Sequence, residues 1–277
     1  MKIGIAGMGL IGGSFAKAYK SAGGHTVYAF DSDRKMLDFA VLDGAADQIL
    51  DMNNIKECDL LLLCIYPDDA ISYLKNAAPY ISAETLVIDC CGTKRNVCES
   101  CFAIAKEYGF TFVGGHPMAG TQYSGFKYSK ANLFKGAYMI LVPPVYDDME
   151  LLDKIKTLLS PAGFGHYSVI SAEKHDKIIA YTSQLAHIVS NAYVKSPSAR
   201  IHKGFSAGSY KDLTRVAWLN ETMWSQLCME NHDHVISELE LLIRELEKYK
   251  NALETGNLDL LKSLFAEGKE RKKEIDG

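Results

Sequence analysis

His116 is the residue of this chain best placed to do chemistry. It lies in the segment 114–121, GGHPMAGT, directly after the apolar run 110–113. Open α/β sheets bind ligands at the carboxyl ends of their strands, so an imidazole there can meet a bound molecule. With an ordinary pKa of about 6.5, the neutral ring is available as a proton acceptor near pH 7. We therefore predict that His116 is catalytic; the alternative is a structural histidine that supports the turn at Pro117.

A glycine-rich string, GMGLIG, occupies residues 7–12 between a predicted strand and a predicted helix. In this context Gly7 permits a tight turn, Gly9 lets a pyrophosphate approach the backbone, and Gly12 allows the helix to pack closely on the strand. The helix begins with Leu10 and Ile11, and its N-terminus favours phosphate charge. The string predicts a dinucleotide site.

Two further residues are predicted to contact that dinucleotide. Asp31 ends the second strand, at the spacing of a carboxylate that binds the ribose diol, which favours NAD over NADP. The alternative is that Asp31 only caps the next helix, and Arg34 leaves some tolerance for NADP. Thr93 follows the fourth strand, where the chain should border the nicotinamide. The predicted cofactor is NAD.

The elements that must position these residues form a regular alternation. Apolar runs of strand length alternate with segments of helical period, which predicts a doubly wound, Rossmann-like α/β fold. The run LLLLC at 60–64 suits a parallel strand covered by helices on both faces. We expect a dinucleotide-binding domain over residues 1–170. The predicted strands are 2–6, 26–30, 60–65, 85–89, 111–113, 138–142 and 165–169.

After about Ser171 the strand runs give way to helical segments, which predicts an all-helical domain over residues 171–277 for substrate binding and dimerisation. The expected helices are 172–195, 209–228, 232–253 and 258–273. An apolar stripe at helical spacing predicts a surface that packs on a second subunit of a homodimer. The stripe consists of Val235, Leu239, Leu242, Leu246, Tyr249 and Leu253.

The composition and charge of the chain limit the classes of molecule that it is expected to bind. The net charge of -4, with 30 basic and 34 acidic residues interspersed, argues against nucleic acid and against an anionic membrane, and favours a small-molecule ligand. Seven cysteines and no export signal indicate reduced thiols and a cytoplasmic location. Cys98 and Cys101 have a spacing found in zinc sites, but ordinary buried thiols on a helix are the favoured interpretation, and no metal site is predicted.

The chain resembles the prephenate/arogenate dehydrogenase family across nearly its whole length. The resemblance is carried by the glycine string, GGHPMAGT at 114–121, His175 with Asp176, SQLAH at 183–187 and KDLTR at 211–215. It implies NAD-dependent oxidative decarboxylation of prephenate to 4-hydroxyphenylpyruvate, a step of tyrosine biosynthesis. Hydride would leave the ring carbon that bears the hydroxyl, and aromatisation would drive the loss of carbon dioxide. His116 matches the catalytic histidine, which accepts the hydroxyl proton.

The same resemblance implies a substrate site in the helical domain. Arg215 matches an arginine that binds a substrate carboxylate, for which its guanidinium fork is suited; an ordinary helical pair with Asp212 is the alternative. Ser183 and His187, four residues apart on one helix face, match substrate-site positions. A core histidine is the alternative for His187, and His175 and Asp176 are read as helix-start structure.

Two departures from the family pattern bear on His116. Gly92 stands where many relatives have a serine whose hydroxyl supports the catalytic histidine, and Gln184 stands where histidine is common. The sequence therefore assigns no hydroxyl partner to His116. Gln122 is a further predicted substrate contact, and because it is neutral it favours prephenate over arogenate, whose ammonium calls for a carboxylate. A β-hydroxyacid dehydrogenase and a non-enzymatic NAD sensor are the remaining alternatives.

Overall fold

The computed structural model describes residues 1–121 and 123–276, and its first part is an open α/β sheet. Within these residues the sheet has eight strands in the order β3-β2-β1-β4-β5-β6-β7-β8. The strands are β1 Lys2–Ala6, β2 Thr26–Phe30, β3 Gln48–Ile49, β4 Leu60–Leu63, β5 Leu86–Asp89, β6 Thr111–Pro117, β7 Tyr138–Val142 and β8 His166–Val169. All neighbouring strands are parallel except β6 and β7. The Rossmann-like fold class predicted from the sequence is confirmed.

Helices cover both faces of this sheet. Side chains of α1, α2 and α5 share one apolar core with the strands, and side chains of α3 and α4 share the other. The helices are α1 Leu10–Ala22, α2 Arg34–Leu42, α3 Pro67–Ala77, α4 Arg95–Tyr108 and α5 Met149–Leu159. The all-leucine strand β4 is buried throughout, as a parallel strand between two helical layers requires.

Strand β6 is longer than the apolar run 111–113 that predicted it. Its first half pairs with β5, and residues 114–117 pair antiparallel with β7, where His116 lies opposite Ile140. Close packing explains the two glycines before His116, because a Cβ at Gly115 would lie 2.4 Å from the Asp89 carbonyl oxygen. The imidazole is thus fixed to a paired strand rather than to a loop.

The chain after β8 is helical, but one of its predicted helices is broken. The helices are α6 Ala172–Ile179, α7 Ala186–Tyr193, α8 Gly208–Thr214, α9 Glu221–Glu230, α10 His232–Glu254 and α11 Leu258–Asp276. A π-helical stretch, Ala180–Leu185, separates α6 from α7. Between α8 and α9 the backbone turns extended at Trp218, and the Asn220 side chain starts α9 by accepting the Met223 N–H. The helix predicted over 172–195 is therefore confirmed as far as Tyr193, with the π-helical stretch inside it, whereas a continuous helix over 209–228 was a wrong prediction.

No helix in the described ranges is long and apolar enough to cross a membrane.

Candidate active site

The glycine string forms a turn with open space at its centre. Gly7 has φ +96°, and a Cβ there would lie 2.5 Å from the Cys64 carbonyl oxygen; at Gly12 a Cβ would lie 1.8 Å from the Gly7 carbonyl oxygen. Nothing lies within 4 Å of the Cβ position of Gly9. Helix α1 starts at Leu10 without a side-chain cap, so its first N–H groups, including that of Ile11, are available to a phosphate.

Asp31 is anchored at the edge of this turn. One of its carboxylate oxygens accepts the Met8 N–H at 2.7 Å, and the other accepts the Asp33 N–H at 2.9 Å. Asp33, not Asp31, caps α2 by accepting N–H groups of Lys35 and Met36. The alternative that Asp31 is only a helix cap is therefore wrong. Its carboxylate lies at the end of β2, where a dinucleotide's ribose would bind.

His116 has a partner that the sequence analysis did not assign. Its Nδ1 lies 2.9 Å from Nε2 of His175, and Nδ1 of His175 lies 2.7 Å from a carboxylate oxygen of Asp176. His175 and Asp176 are each only 1% exposed, at the middle of α6. These contacts make a hydrogen-bonded chain, Asp176–His175–His116, that runs from the helical part of the molecule to the sheet.

Burial and nearby charge shift the pKa values within this chain. Burial lowers the pKa of His116 well below 6.5, and the neighbouring His175 ring and the Lys94 ammonium lower it further. Burial also lowers the pKa of His175, against the opposing hydrogen bond to Asp176. Burial alone would raise the pKa of Asp176, but hydrogen bonds from His175 and the Arg95 N–H bring it below its usual value. His116 is therefore neutral, and Asp176 is ionised, at neutral pH.

A buried ion pair supports the strand that bears His116. Lys94 and Asp89 pair with both side chains fully buried. Asp89 also accepts the Cys91 N–H at 2.9 Å and the Gly115 N–H at 3.0 Å. Because a buried charge is tolerated only when paired and hydrogen-bonded, this pair fixes the β5–α4 connection against β6.

A second cluster surrounds His187 on α7. Its Nδ1 lies 2.9 Å from the Ser183 carbonyl oxygen, and its ring stacks on Trp224 with centroids 3.8 Å apart. Burial lowers the pKa of His187, against the opposing hydrogen bond to Ser183, and the charge of Arg215 lowers it further. The turn that begins at Arg215 packs against α7. The structure thus brings three predicted substrate residues together, and Ser183 contributes its backbone to the observed contact.

Arg215 stands at the end of α8 with its side chain exposed. In the described ranges it forms no ion pair, so the proposed helical pair with Asp212 was wrong. An arginine fork without a protein carboxylate can receive one from a ligand.

Other predicted site residues have different outcomes. No hydrogen bond in the described part of the chain joins His116 to His187 or Arg215. The Thr93 hydroxyl donates to Glu230 of α9 at 2.5 Å, so it does not support His116. Gln122 lies outside the described residues.

Gly92 and Gln184, the two departures from the family pattern, both lie against Leu227. A Cβ on Gly92 would lie 3.2 Å from a methyl carbon of Leu227, and the Gln184 amide donates to the Leu227 carbonyl at 2.8 Å. Gln184 also accepts a hydrogen bond from Asn231 at 2.6 Å. Leu227 therefore fills the space beside Gly92, and Gln184 holds the turn of α9 that carries it.

Several residues that the structure places at the site have no functional role predicted from the sequence: His175, Asp176, Trp224 and Glu230. The adjacent pair of titratable residues at 175 and 176 was a usable signal, since both side chains face inward from α6 and a buried titratable group needs a partner. Glu230 and Trp224 carried no local signal, because their partners lie 137 and 37 residues away in the sequence.

Comparisons with known proteins agree on one family. Residues 15–167 match the family described as prephenate dehydrogenase, nucleotide-binding domain, and residues 171–267 match prephenate dehydrogenase, dimerization domain. The chain is 30% identical to a prephenate dehydrogenase of Bacillus subtilis over 96% of its length and 74% of that protein. It is also 30% identical to a cyclohexadienyl dehydrogenase of Zymomonas mobilis, over 96% of its length and 92% of that protein.

A solved structure extends this similarity. The prephenate dehydrogenase of A. aeolicus, crystallised with hydroxyphenyl propionate and NAD+, is 27% identical with a TM-score of 0.82, covering 99% of this chain and 98% of that one.

Proposed function

The chain belongs to the prephenate dehydrogenase family, and on that premise we propose that it catalyses the NAD-dependent oxidative decarboxylation of prephenate to 4-hydroxyphenylpyruvate. The observation that carries the proposal is His116 itself. It is a neutral, hydrogen-bonded imidazole on the last residues of β6, at the carboxyl edge of the sheet where the glycine turn also lies. A base at that edge can meet a hydroxyl whose carbon faces the dinucleotide.

In this reaction the protein moves one proton. The ring hydroxyl of prephenate gives its proton to His116, while the carbon that bears the hydroxyl loses a hydride. The bond from the ring to its carboxylate then breaks and carbon dioxide leaves. The electron pair shifts through the ring to the ketone oxygen, which makes the ring aromatic, and this oxygen takes the proton back from His116. The products are 4-hydroxyphenylpyruvate, carbon dioxide and NADH.

The residues at the glycine turn fit NAD. The open space at Gly9, the uncapped start of α1 and the Asp31 carboxylate suit a pyrophosphate and a ribose diol. Bound NAD+ supplies the hydride acceptor. We propose that Gly7, Gly9, Leu10, Ile11, Gly12 and Asp31 hold it, with Thr93 and the rest of the β5–α4 connection at the nicotinamide end.

Asp31→Ser is expected to weaken the preference for NAD+. The ratio of kcat/KM with NADP+ to kcat/KM with NAD+ should rise at least about tenfold, or about 1.4 kcal/mol, because the carboxylate that repels a 2′-phosphate is removed. Steady-state kinetics with each cofactor measure this ratio. Asp43→Ser, which removes a carboxylate paired with Lys17, is the control. An unchanged ratio in Asp31→Ser would show that another residue reads the ribose.

We place the substrate carboxylate at Arg215, beside His187 and Trp224. The guanidinium is free of protein carboxylates in the described part of the chain, and prephenate carries two carboxylates. The stacked Trp224 ring gives the ring of His187 a fixed orientation beside it.

Formation of NADH after prephenate is added to the purified protein with NAD+ tests the proposed function. A parallel assay with arogenate tests the substrate. We propose prephenate as the better substrate because Gln122 is neutral, and a higher kcat/KM with arogenate would overturn this choice.

We also propose that two copies pair through the helical part, residues 171–277, while residues 1–170 bind the dinucleotide. The support is the family's dimerization domain together with exposed apolar side chains on α10. These side chains are Ile236, Leu241, Ile243, Leu246 and Leu253. Of the stripe predicted from the sequence, only Leu246 and Leu253 belong to this exposed surface, and Val235 is buried within the protein. Sedimentation at micromolar concentration should show a dimer, and a monomer alone would refute the pairing. The seven free thiols suit the reducing cytoplasm, where we place the enzyme.

A further inference from the structure

The protonation states of Asp176, His175 and His116 fix which group donates and which accepts in each of the two hydrogen bonds that join them. An ionised carboxylate only accepts hydrogen bonds, so Nδ1 of His175 must carry a proton and donate it to Asp176. A neutral His175 then has a lone pair on Nε2, which can only accept. The 2.9 Å contact therefore requires a proton on Nδ1 of His116. Nε2 of His116 is left with its lone pair.

We propose that His175 and Asp176 are positioning residues, which hold the proton of His116 on Nδ1 and so keep Nε2 as the atom that receives the substrate proton. The inference rests on the proposed function for the source of that proton, which is the ring hydroxyl of prephenate. Its structural content, the tautomer of His116, stands without any substrate. Neither His175 nor Asp176 needs to touch substrate or cofactor for this role.

The surrounding charges favour this arrangement. Lys94 and Asp89, at the ends of the β5–α4 connection, form a paired charge near both histidines. Arg95 of α4 reaches Asp176 with its Nε at 3.5 Å, and this cation favours the ionised carboxylate. Burial and the Lys94 ammonium disfavour a positive charge on either ring, so both imidazoles are neutral before the reaction. When His116 takes the proton, Asp176 is the anion that stabilises it through His175.

Asp176 also joins the two parts of the molecule. Helix α4 has no side-chain cap of its own; Asp176 supplies it by accepting the Lys94 N–H at 2.7 Å and the Arg95 N–H at 2.9 Å. The carboxylate that directs His175 is thus held by the sheet domain's own helix. The tautomer of His116 consequently depends on the contact between α6 and the start of α4.

Asp176→Asn tests the direction of the chain. Arg95 holds the amide oxygen through both its backbone N–H and its Nε, so the amide nitrogen takes the position that faces His175 and gives up the hydrogen bond from the Lys94 N–H. The amide N–H then donates to Nδ1 of His175, which places the His175 proton on Nε2 and drives the His116 proton to its own Nε2. We expect kcat to fall about 10²- to 10⁴-fold with an unchanged KM for prephenate, as expected when a base is held in the wrong tautomer. Nitrogen NMR of the histidine rings should show His116 protonated on Nδ1 in the wild type and on Nε2 in Asp176→Asn.

Asp233→Asn is the matched control. Asp233 is another carboxylate bound to Arg95, at 2.8 Å, but it does not contact His175. This variant removes a carboxylate from the same arginine and leaves the α4 cap in place, so it controls for the loss of the ion pair with Arg95. His175→Phe, which also keeps the cap, separates the loss of the α4 cap from the loss of the contact between His175 and His116. We expect kcat and the His116 tautomer to be those of the wild type in Asp233→Asn.

His175→Phe covers the case in which Asp176→Asn does not fold. It keeps the buried ring volume and leaves the α4 cap intact, but it removes the acceptor for Nδ1–H of His116. We expect a similar loss of kcat and a mixture of His116 tautomers. Wild-type kcat in either folded variant, or a wild-type His116 protonated on Nε2, would overturn the proposal. Failure of the wild type to oxidise prephenate would overturn the proposed function instead, and the NMR result would still decide the tautomer.

Discussion

His116→Asn is expected to lower kcat about 10²- to 10⁴-fold, which is the usual contribution of a positioned general base. Asparagine retains a side-chain N–H that can donate to His175, so the neighbouring structure should persist. It has no basic nitrogen to receive the hydroxyl proton. Steady-state formation of NADH with prephenate and NAD+ measures the loss, and the KM values should change little. Near-wild-type turnover would end the catalytic assignment of His116.

The pH dependence of kcat provides a second readout for His116. A base works only when neutral, and burial holds the pKa of His116 well below 6.5. The wild-type kcat should therefore stay on its plateau as the pH falls through 6.5 and decline only in more acidic solution. His116→Asn should lack this acidic decline. His166→Asn, which alters another histidine of the same sheet on the far strand β8, should retain both the rate and the decline.

Arg215→Ala is expected to cost about 2–5 kcal/mol in kcat/KM, mostly as a higher KM for prephenate, because a substrate carboxylate is left without its partner. The exposed guanidinium has no ion pair to lose in the described part of the chain, so folding stability should change little. Kinetics and thermal unfolding together separate these effects. A KM equal to that of the wild type would place the substrate carboxylate elsewhere.

Two companion variants sharpen the test of Arg215. Arg215→Lys keeps the charge but loses the planar fork, and it should recover only part of the lost affinity. Arg244→Ala removes an exposed arginine on α10, and it should leave the KM for prephenate unchanged. Full recovery with lysine would show that charge alone, rather than bidentate geometry, binds the carboxylate.

The amino-acid sequence alone determined the fold class and the dinucleotide turn. Both follow from patterns of residues that are close together in the sequence. The fold class follows from buried strands of continuous apolarity, and the turn follows from glycines at positions such as Gly7 and Gly12, where no other residue fits. The motif around His116 likewise identified the reacting end of the molecule, since a strand and its end are set by neighbouring residues. Patterns of helical period also located the helical part. They did not reveal the π-helical stretch after Ile179 or the break after Thr214, because apolar spacing continues across a π-helical stretch or a short turn.

Only the tertiary structure decided how the site is assembled. The partner of His116 is His175, 59 residues further along the chain, and the Thr93 hydroxyl donates to Glu230, 137 residues away. Arg215 forms no ion pair with Asp212, because α8 ends at Thr214, between the two residues. Hydrogen bonds and ion pairs depend on distance and direction between groups that packing brings together. The residue types predicted the base and the carboxylate-binding arginine. Only the packing of α6 against α4 and β6 could decide which nitrogen of His116 keeps its lone pair.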